Sequence, residues 1–239
     1  MKTTLAYWLD SLRQLAYPEI CVGCAERNAA SKSMLCMICE GNLTTTFHHQ
    51  SVANDFTDRF EGRVPLQCGA ALFYFKPDGP VQYILHRFKY AYRPDIGHRM
   101  GARLGARLRE GVGFEGIDGI VPVPLHPIKR HRRGYNQSEE LAIGIGSELH
   151  DAPVVHALSR RIYTETQTKK TKLERYANVA EAFEVRDAQQ HRGKHYLLVD
   201  DVLTTGATLE TCALRLLEAV PDLRISMATL AMATTGVDM

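Results

Sequence analysis

Beyond residue 66, short strand-like runs alternate with helix-patterned ones, and this alternation constrains the fold more than any single residue does. LQCGAALFYFK (66–76) has strand composition, and PVQYILHRFKY (80–90) follows with helical periodicity. A second helix, RPDIGHRMGARLGARLREGV (93–112), carries basic residues on its polar face. DGIVPVPL (118–125) reads as a short buried strand, and RGYNQSEELAIGIGSELH (133–150) as a helix starting near Asn136 or Gln137. The strands APVVHAL (152–158) and KHYLLVDDV (194–202) precede the helix ATLETCALRLLEAV (207–220) and a closing strand, LRISMATLAMATT (223–235). Strands separated by helices imply parallel βαβ units, hence an α/β, doubly wound parallel sheet.

The amino-terminal part differs in character. Residues 1–17 place Leu5, Trp8, Leu9, Leu12 and Leu15 at helical spacing, which predicts a short amphipathic helix packed on its own domain. Asp10 and Arg13 interrupt it before a signal-peptide core could form. No apolar run approaches the roughly 18 residues of a membrane span, so a cytoplasmic chain with no integral membrane contact is expected. Residues 18–47 hold four of the six cysteines, as Cys21–Cys24 and Cys36–Cys39, each pair with CxxC spacing. Eleven residues separate the pairs, enough for a hairpin that brings four thiolates to one ion. One structural zinc ion per chain, in a small zinc ribbon, is the expected occupant. Cys68 and Cys212 stand alone in apolar surroundings and read as buried packing residues, whereas His48 and His49 read as surface residues.

In a doubly wound sheet, ligands bind at the carboxyl ends of strands, beside helix N-termini. KHYLLVDD puts Asp200 and Asp201 at such an end, with TTGAT as the strand-to-helix loop. Backbone N–H groups and threonine hydroxyls there suit a phosphate. The two carboxylates suit sugar hydroxyls or a divalent cation. The formal net charge of +2 is too small to imply a nucleic-acid partner by itself, but Lys129, Arg130, Arg132 and Arg133 are clustered. That cluster suits pyrophosphate or single-stranded nucleic acid, and Lys169, Lys170 and Lys172 suit single-stranded nucleic acid.

LLVDDVLTTGATL (197–209) resembles the thirteen-residue signature of type I phosphoribosyltransferases, which bind 5-phosphoribosyl-1-pyrophosphate. The resemblance implies that Asp200 and Asp201 hold the ribose hydroxyls. It implies equally that Thr204, Thr205, Gly206, Ala207 and Thr208 cradle the 5-phosphate, with magnesium bridging pyrophosphate and ribose oxygens. Hypoxanthine-type salvage enzymes carry an aspartate where Thr204 stands, which disfavours a purine-salvage role. VPVPLHPIKRHRRGYNQ (121–137) and LSRRIYTETQTKKTKLERYANVAEAF (158–183) narrow the match further. With the four-cysteine module and the signature, in that order, they resemble the ComF family of competence proteins.

That resemblance implies a phosphoribosyltransferase-like domain over residues 66–239 and pyrophosphate or nucleic-acid contacts that include Arg161 and Arg175. It also implies a loop over residues 160–175 that closes on the ligand. The implied role is the handling of imported single-stranded DNA in the cytoplasm, beside a competence helicase or a recombination-loading protein. Two other roles stay open: an active phosphoribosyltransferase with an unknown acceptor, and a zinc-ribbon docking scaffold with a vestigial pocket.

Overall fold

A computed structural model describes residues 19–29, 33–160 and 182–234; the helix expected over residues 1–17 lies outside them. The main sheet has four strands, β1 (Leu66–Phe75), β2 (Gly119–Pro122), β5 (His195–Leu203) and β6 (Arg224–Ala233), in the order β1-β6-β5-β2. Every pairing within it is parallel. A separate antiparallel ribbon joins β3 (Leu158–Arg160) to β4 (Phe183–Val185). The strand expected over 152–158 is shorter than its composition suggests. Val154 makes an isolated parallel bridge to Ile120, and regular pairing begins only at Leu158. Pro153 has no N–H to give to a ladder.

Strand alternation sorts the core into two layers. Leu197 and Val199 of β5 join one cluster with Ala228 and Leu230 of β6. After two short helices, α1 (Met37–Gly41) and α2 (Asp55–Asp58), come α3 (Pro80–Tyr90), α4 (Pro94–Arg109) and, further on, α6 (Gln137–Glu148), which cover that layer. Tyr196 and Leu198 point the other way and pack with Met227 and with α7 (Ala207–Ala219), which buries Leu209, Cys212 and Ala213. The sheet is therefore parallel with helices on both faces, as the alternation predicts.

α4 and α6 pack backbone against backbone. A Cβ added at Gly101 would sit 2.4 Å from the Leu141 carbonyl, and one at Gly144 would sit 2.2 Å from the His98 carbonyl. Glycine at both positions lets α6 seat deeply, which fixes where its amino-terminal end lies. The four-cysteine segment is part of the first layer: Cys21, Val22, Leu35, Cys36 and Cys39 share a core with Phe73, Ile84, Leu85 and Phe88. Among the described residues no helix is long and apolar enough to cross a membrane.

Candidate functional site

The acid pair sits where β2 ends. β2 accompanies β5 only as far as the pairing of Pro122 with Val199, and Val123 then donates its N–H to the Val199 carbonyl. Beyond that point β5 has lost its β2 neighbour while still pairing with β6 as far as Leu203. The strand therefore does not stop at the aspartates; they lie on a paired strand with one flank open. Asp201 is 8% exposed and its Oδ2 lies 2.9 Å from Nζ of Lys89, near the end of α3. Asp200 Oδ1 accepts from Ser138 Oγ (3.0 Å) and from the Asp201 N–H (2.8 Å). Burial, and then the neighbouring Asp201 charge, push the Asp200 carboxyl up to about 7.

The loop after β5 is short and braced from outside. Gly206 has φ 84°, a left-handed conformation, and caps α7. A Cβ there would meet the Phe60 ring at 3.0 Å, so both backbone and packing call for glycine. Thr205 Oγ1 accepts from the Ala207 N–H at 3.5 Å. Arg59 donates to the Thr204 carbonyl at 3.1 Å and to the Ala233 carbonyl at 2.8 Å, tying the loop to the end of β6. Asp200 and residues 202–209 line a small recess of about 30 Å³. It opens at the amino end of a 13-residue helix, where free N–H groups and the helix dipole favour an anion.

The basic run is helical. α5 (Pro127–Arg133) starts at His126, whose side chain caps it, and stops at Gly134 in a left-handed turn. The helix divides the run between two hollows. Lys129 and Arg133 border a cleft of about 180 Å³ shared with Lys89, Gln137, Asp200 and Asp201. Arg130 and His131 face the adjoining groove, about 740 Å³, whose other walls include Glu139, His156, Arg160 and Arg186. Arg132 borders neither hollow; its carbonyl accepts from the Tyr92 hydroxyl at 3.3 Å. Arg133 lies over the Tyr90 ring and donates to Gln137 Oε1 at 2.7 Å. Gln137 lines the cleft too, and its buried Nε2 has no geometrically ideal acceptor among the described residues. Arg161, Arg175 and the closing loop expected over 160–175 lie outside the described residues, apart from Arg160.

Lys89, Ser138, Gln137 and Arg186 were not among the site residues expected from the sequence. Lys89 had only the polar face of a helix as its signal, and nothing local points it at an acid pair more than a hundred positions away.

The four cysteine sulfurs lie within 4.8 Å of one another. Cys21 Sγ accepts N–H groups from Gly23 (3.3 Å) and Cys36 (3.2 Å), and Cys36 Sγ accepts from Cys39 (3.4 Å). The Glu26 backbone N–H draws the Cys24 thiol down to about 6, and the Cys39 N–H lowers Cys36. Burial raises Cys39. A Cβ on Gly23 would fall 2.8 Å from Cys39 Sγ, so the first turn wraps as closely as a shared ion requires. Four convergent sulfurs, partly poised as thiolates, suit tetrahedral zinc.

Two expectations need correction. His48 and His49 are buried, 4% and 8% exposed, instead of lying on the surface. His48 is satisfied internally: Nδ1 accepts the Ala71 N–H at 3.1 Å, while Nε2 meets Asp55 at 2.5 Å and the Tyr74 hydroxyl at 3.2 Å. Burial lowers the basicity of both rings. Cys68 and Cys212 are buried as expected. Cys68, however, has polar company, lying 3.0 Å from Ser226 Oγ and 3.0 Å from the Gly113 carbonyl.

Comparison with known proteins agrees with this geometry. The family described as "Phosphoribosyl transferase domain" matches residues 129–237. The chain is similar to the DNA utilization protein YhgH of Escherichia coli K12, 33% identical over 141 residues, which is 58% of this chain and 61% of the relative. It resembles competence protein F of Haemophilus influenzae at 30% identity over 135 residues, 54% of this chain and 58% of that one. Against competence protein ComFC of Bacillus subtilis the identity is 37% over 111 residues, 46% of this chain and 43% of the relative. The match thus spans less than two thirds of each of these relatives. A parallel sheet with its acid pair and glycine loop, a four-cysteine module and these relatives together fit the ComF family, with a phosphoribosyltransferase fold.

Proposed function

We propose that the cleft binds 5-phosphoribosyl-1-pyrophosphate, or a related phosphoribosyl ligand, together with magnesium. One observation carries the reading: Asp200 and Asp201 open onto the same end of the sheet as the Thr204–Thr208 loop and the amino end of α7. A ligand with a phosphate beside a diol answers both features. In this reading the loop N–H groups take the 5-phosphate and the carboxylates accept from the ribose hydroxyls. Lys89, Lys129 and Arg133 face the pyrophosphate, whose oxygens gain charge when it leaves. The Asp200 and Asp201 oxygens are hard donors suited to magnesium, which would neutralise pyrophosphate charge when bound. Gln137 Nε2 supplies a further N–H to the ligand. The ligand with magnesium raises the melting temperature of the parent protein, and Asp200→Asn with Asp201→Asn removes the shift. A parent that shows no shift sinks the reading.

The names of the relatives point to DNA utilization and competence, and we infer that this chain serves the handling of imported single-stranded DNA in the cytoplasm. The groove favours this second layer of function: Arg130 and Arg186 line it without bordering the acid-pair cleft, and Arg160 borders both hollows. Single-stranded DNA bound there loses affinity steeply as salt rises, because each neutralised phosphate releases counterions. Turnover is a separate matter, read by pyrophosphate release against candidate acceptors.

A further inference from the structure

Helix α3 touches both the cysteine module and the cleft. From its last turns, Arg87 donates to the carbonyls of Val22 and, at 3.0 Å, of Gly23, the two residues between the first pair of cysteines. Two residues on, Lys89 holds Asp201 at 2.9 Å. At about 100° per residue these side chains leave the helix on nearly opposite sides, one towards the knuckle and one towards the cleft. Phe88 between them is fully buried in the core that also contains Cys21, Val22 and Cys36, and its carbonyl accepts from the Tyr135 hydroxyl.

The two carbonyls that Arg87 grips belong to the turn that bends around the four sulfurs. Their direction is set by closure of that turn. When the turn opens, Arg87 loses both acceptors, and the last turn of α3 loses the anchor that aims Lys89. We propose that Arg87 is a positioning residue that makes the hold of Lys89 on Asp201 depend on the metal-loaded knuckle, so that the zinc site and the ligand cleft are coupled. The ligand side of this inference rests on the phosphoribosyl reading above. Coupling between two sites is reciprocal, so a ligand in the cleft must also tighten the metal.

The test uses the full chain loaded with zinc and times zinc transfer to a chromophoric chelator, with and without 5-phosphoribosyl-1-pyrophosphate and magnesium. In the parent the ligand slows zinc release by about tenfold, within the usual range of such couplings. In Arg87→Ala the slowing falls below about twofold, and Arg87→Lys recovers part of it, since an ammonium can still reach one carbonyl. The parent's full slowing in a folded, zinc-bearing Arg87→Ala overturns the proposal. If that variant does not hold zinc, Arg87→Met replaces it, keeping the aliphatic stem without the donors, and ligand protection is lost. Retained protection there is equally fatal.

A ligand-free arm separates the two readings. Hydrogen exchange is compared before and after zinc removal, and the amides of residues 87–91 lose protection while β5 and β6 keep theirs. Unchanged exchange over 87–91, or loss spread evenly over the chain, overturns the coupling. A parent that binds no phosphoribosyl ligand refutes the functional reading instead and leaves the coupling to the exchange result.

Discussion

At the scale of single residues, the adjacent aspartates differ in surroundings. Lys89 neutralises Asp201, while Asp200 is held by a hydroxyl and a backbone N–H and titrates near 7. A carboxyl whose pKa is raised by folding contributes stability that is full below its unfolded value, about 4, and is lost as pH rises through its folded value. The parent therefore loses stability relative to Asp200→Asn between about pH 4 and about pH 7, read from urea midpoints across that window. Ligand binding runs the other way, because the ionised carboxylate is the better acceptor, so the ligand-induced thermal shift is larger at pH 8 than at pH 6. Gly206→Ala forces a side chain into a left-handed residue that already touches Phe60; it costs about 1–2 kcal/mol by urea melt and weakens the phosphate loop. The aspartates and the glycine were legible because their chemistry is local. His48 was not, because two neighbouring histidines look polar until a backbone N–H, a carboxylate and a phenol are brought around one of them.

At the scale of elements, α5 turns one basic run into two surfaces. Lys129→Ala with Arg133→Ala diminishes the thermal shift from the small ligand and leaves single-stranded DNA affinity nearly intact. Arg130→Ala with Arg186→Ala does the reverse and lowers the slope of log affinity against log salt by about 1.4, roughly 0.7 per lost phosphate contact on a single strand. An equal effect of both pairs on both ligands rules out this division. The clustering of charge was visible in the sequence, but its partition was not. Which side chains share a hollow depends on the helix's rotation, set by the His126 cap and the Gly134 turn. The α4–α6 seam belongs to this scale too. Gly144→Ala puts a methyl against the His98 carbonyl, destabilises by about 1–3 kcal/mol, and displaces Ser138 from Asp200, seen as a lowered urea midpoint and a weaker ligand shift.

At the scale of the whole molecule, the cysteine module and the sheet share one core, so the metal stabilises more than its own hairpin. Purified protein contains about one zinc per chain by metal analysis, as a four-thiolate site requires. Chelation lowers the denaturant midpoint, because metal binding to a site absent from the unfolded chain is folding free energy. A chain whose midpoint ignores chelation has no structural zinc. The shared core also explains why α3 faces both ways: it is the part of the cover that lies between module and cleft.

The alternation of the main-sheet strands with their covering helices, the acid pair with its threonine and glycine loop, and the CxxC spacing were determined by sequence alone. Each is set by periodicity or by chemistry within a few residues of itself. The tertiary structure decided where β2 stops, and so which flank of Asp200 and Asp201 is open. It also decided that Lys89 meets that pair and that Arg87 meets the knuckle. Those contacts join segments far apart in the chain, and packing of the whole core, not any local pattern, brings them within reach.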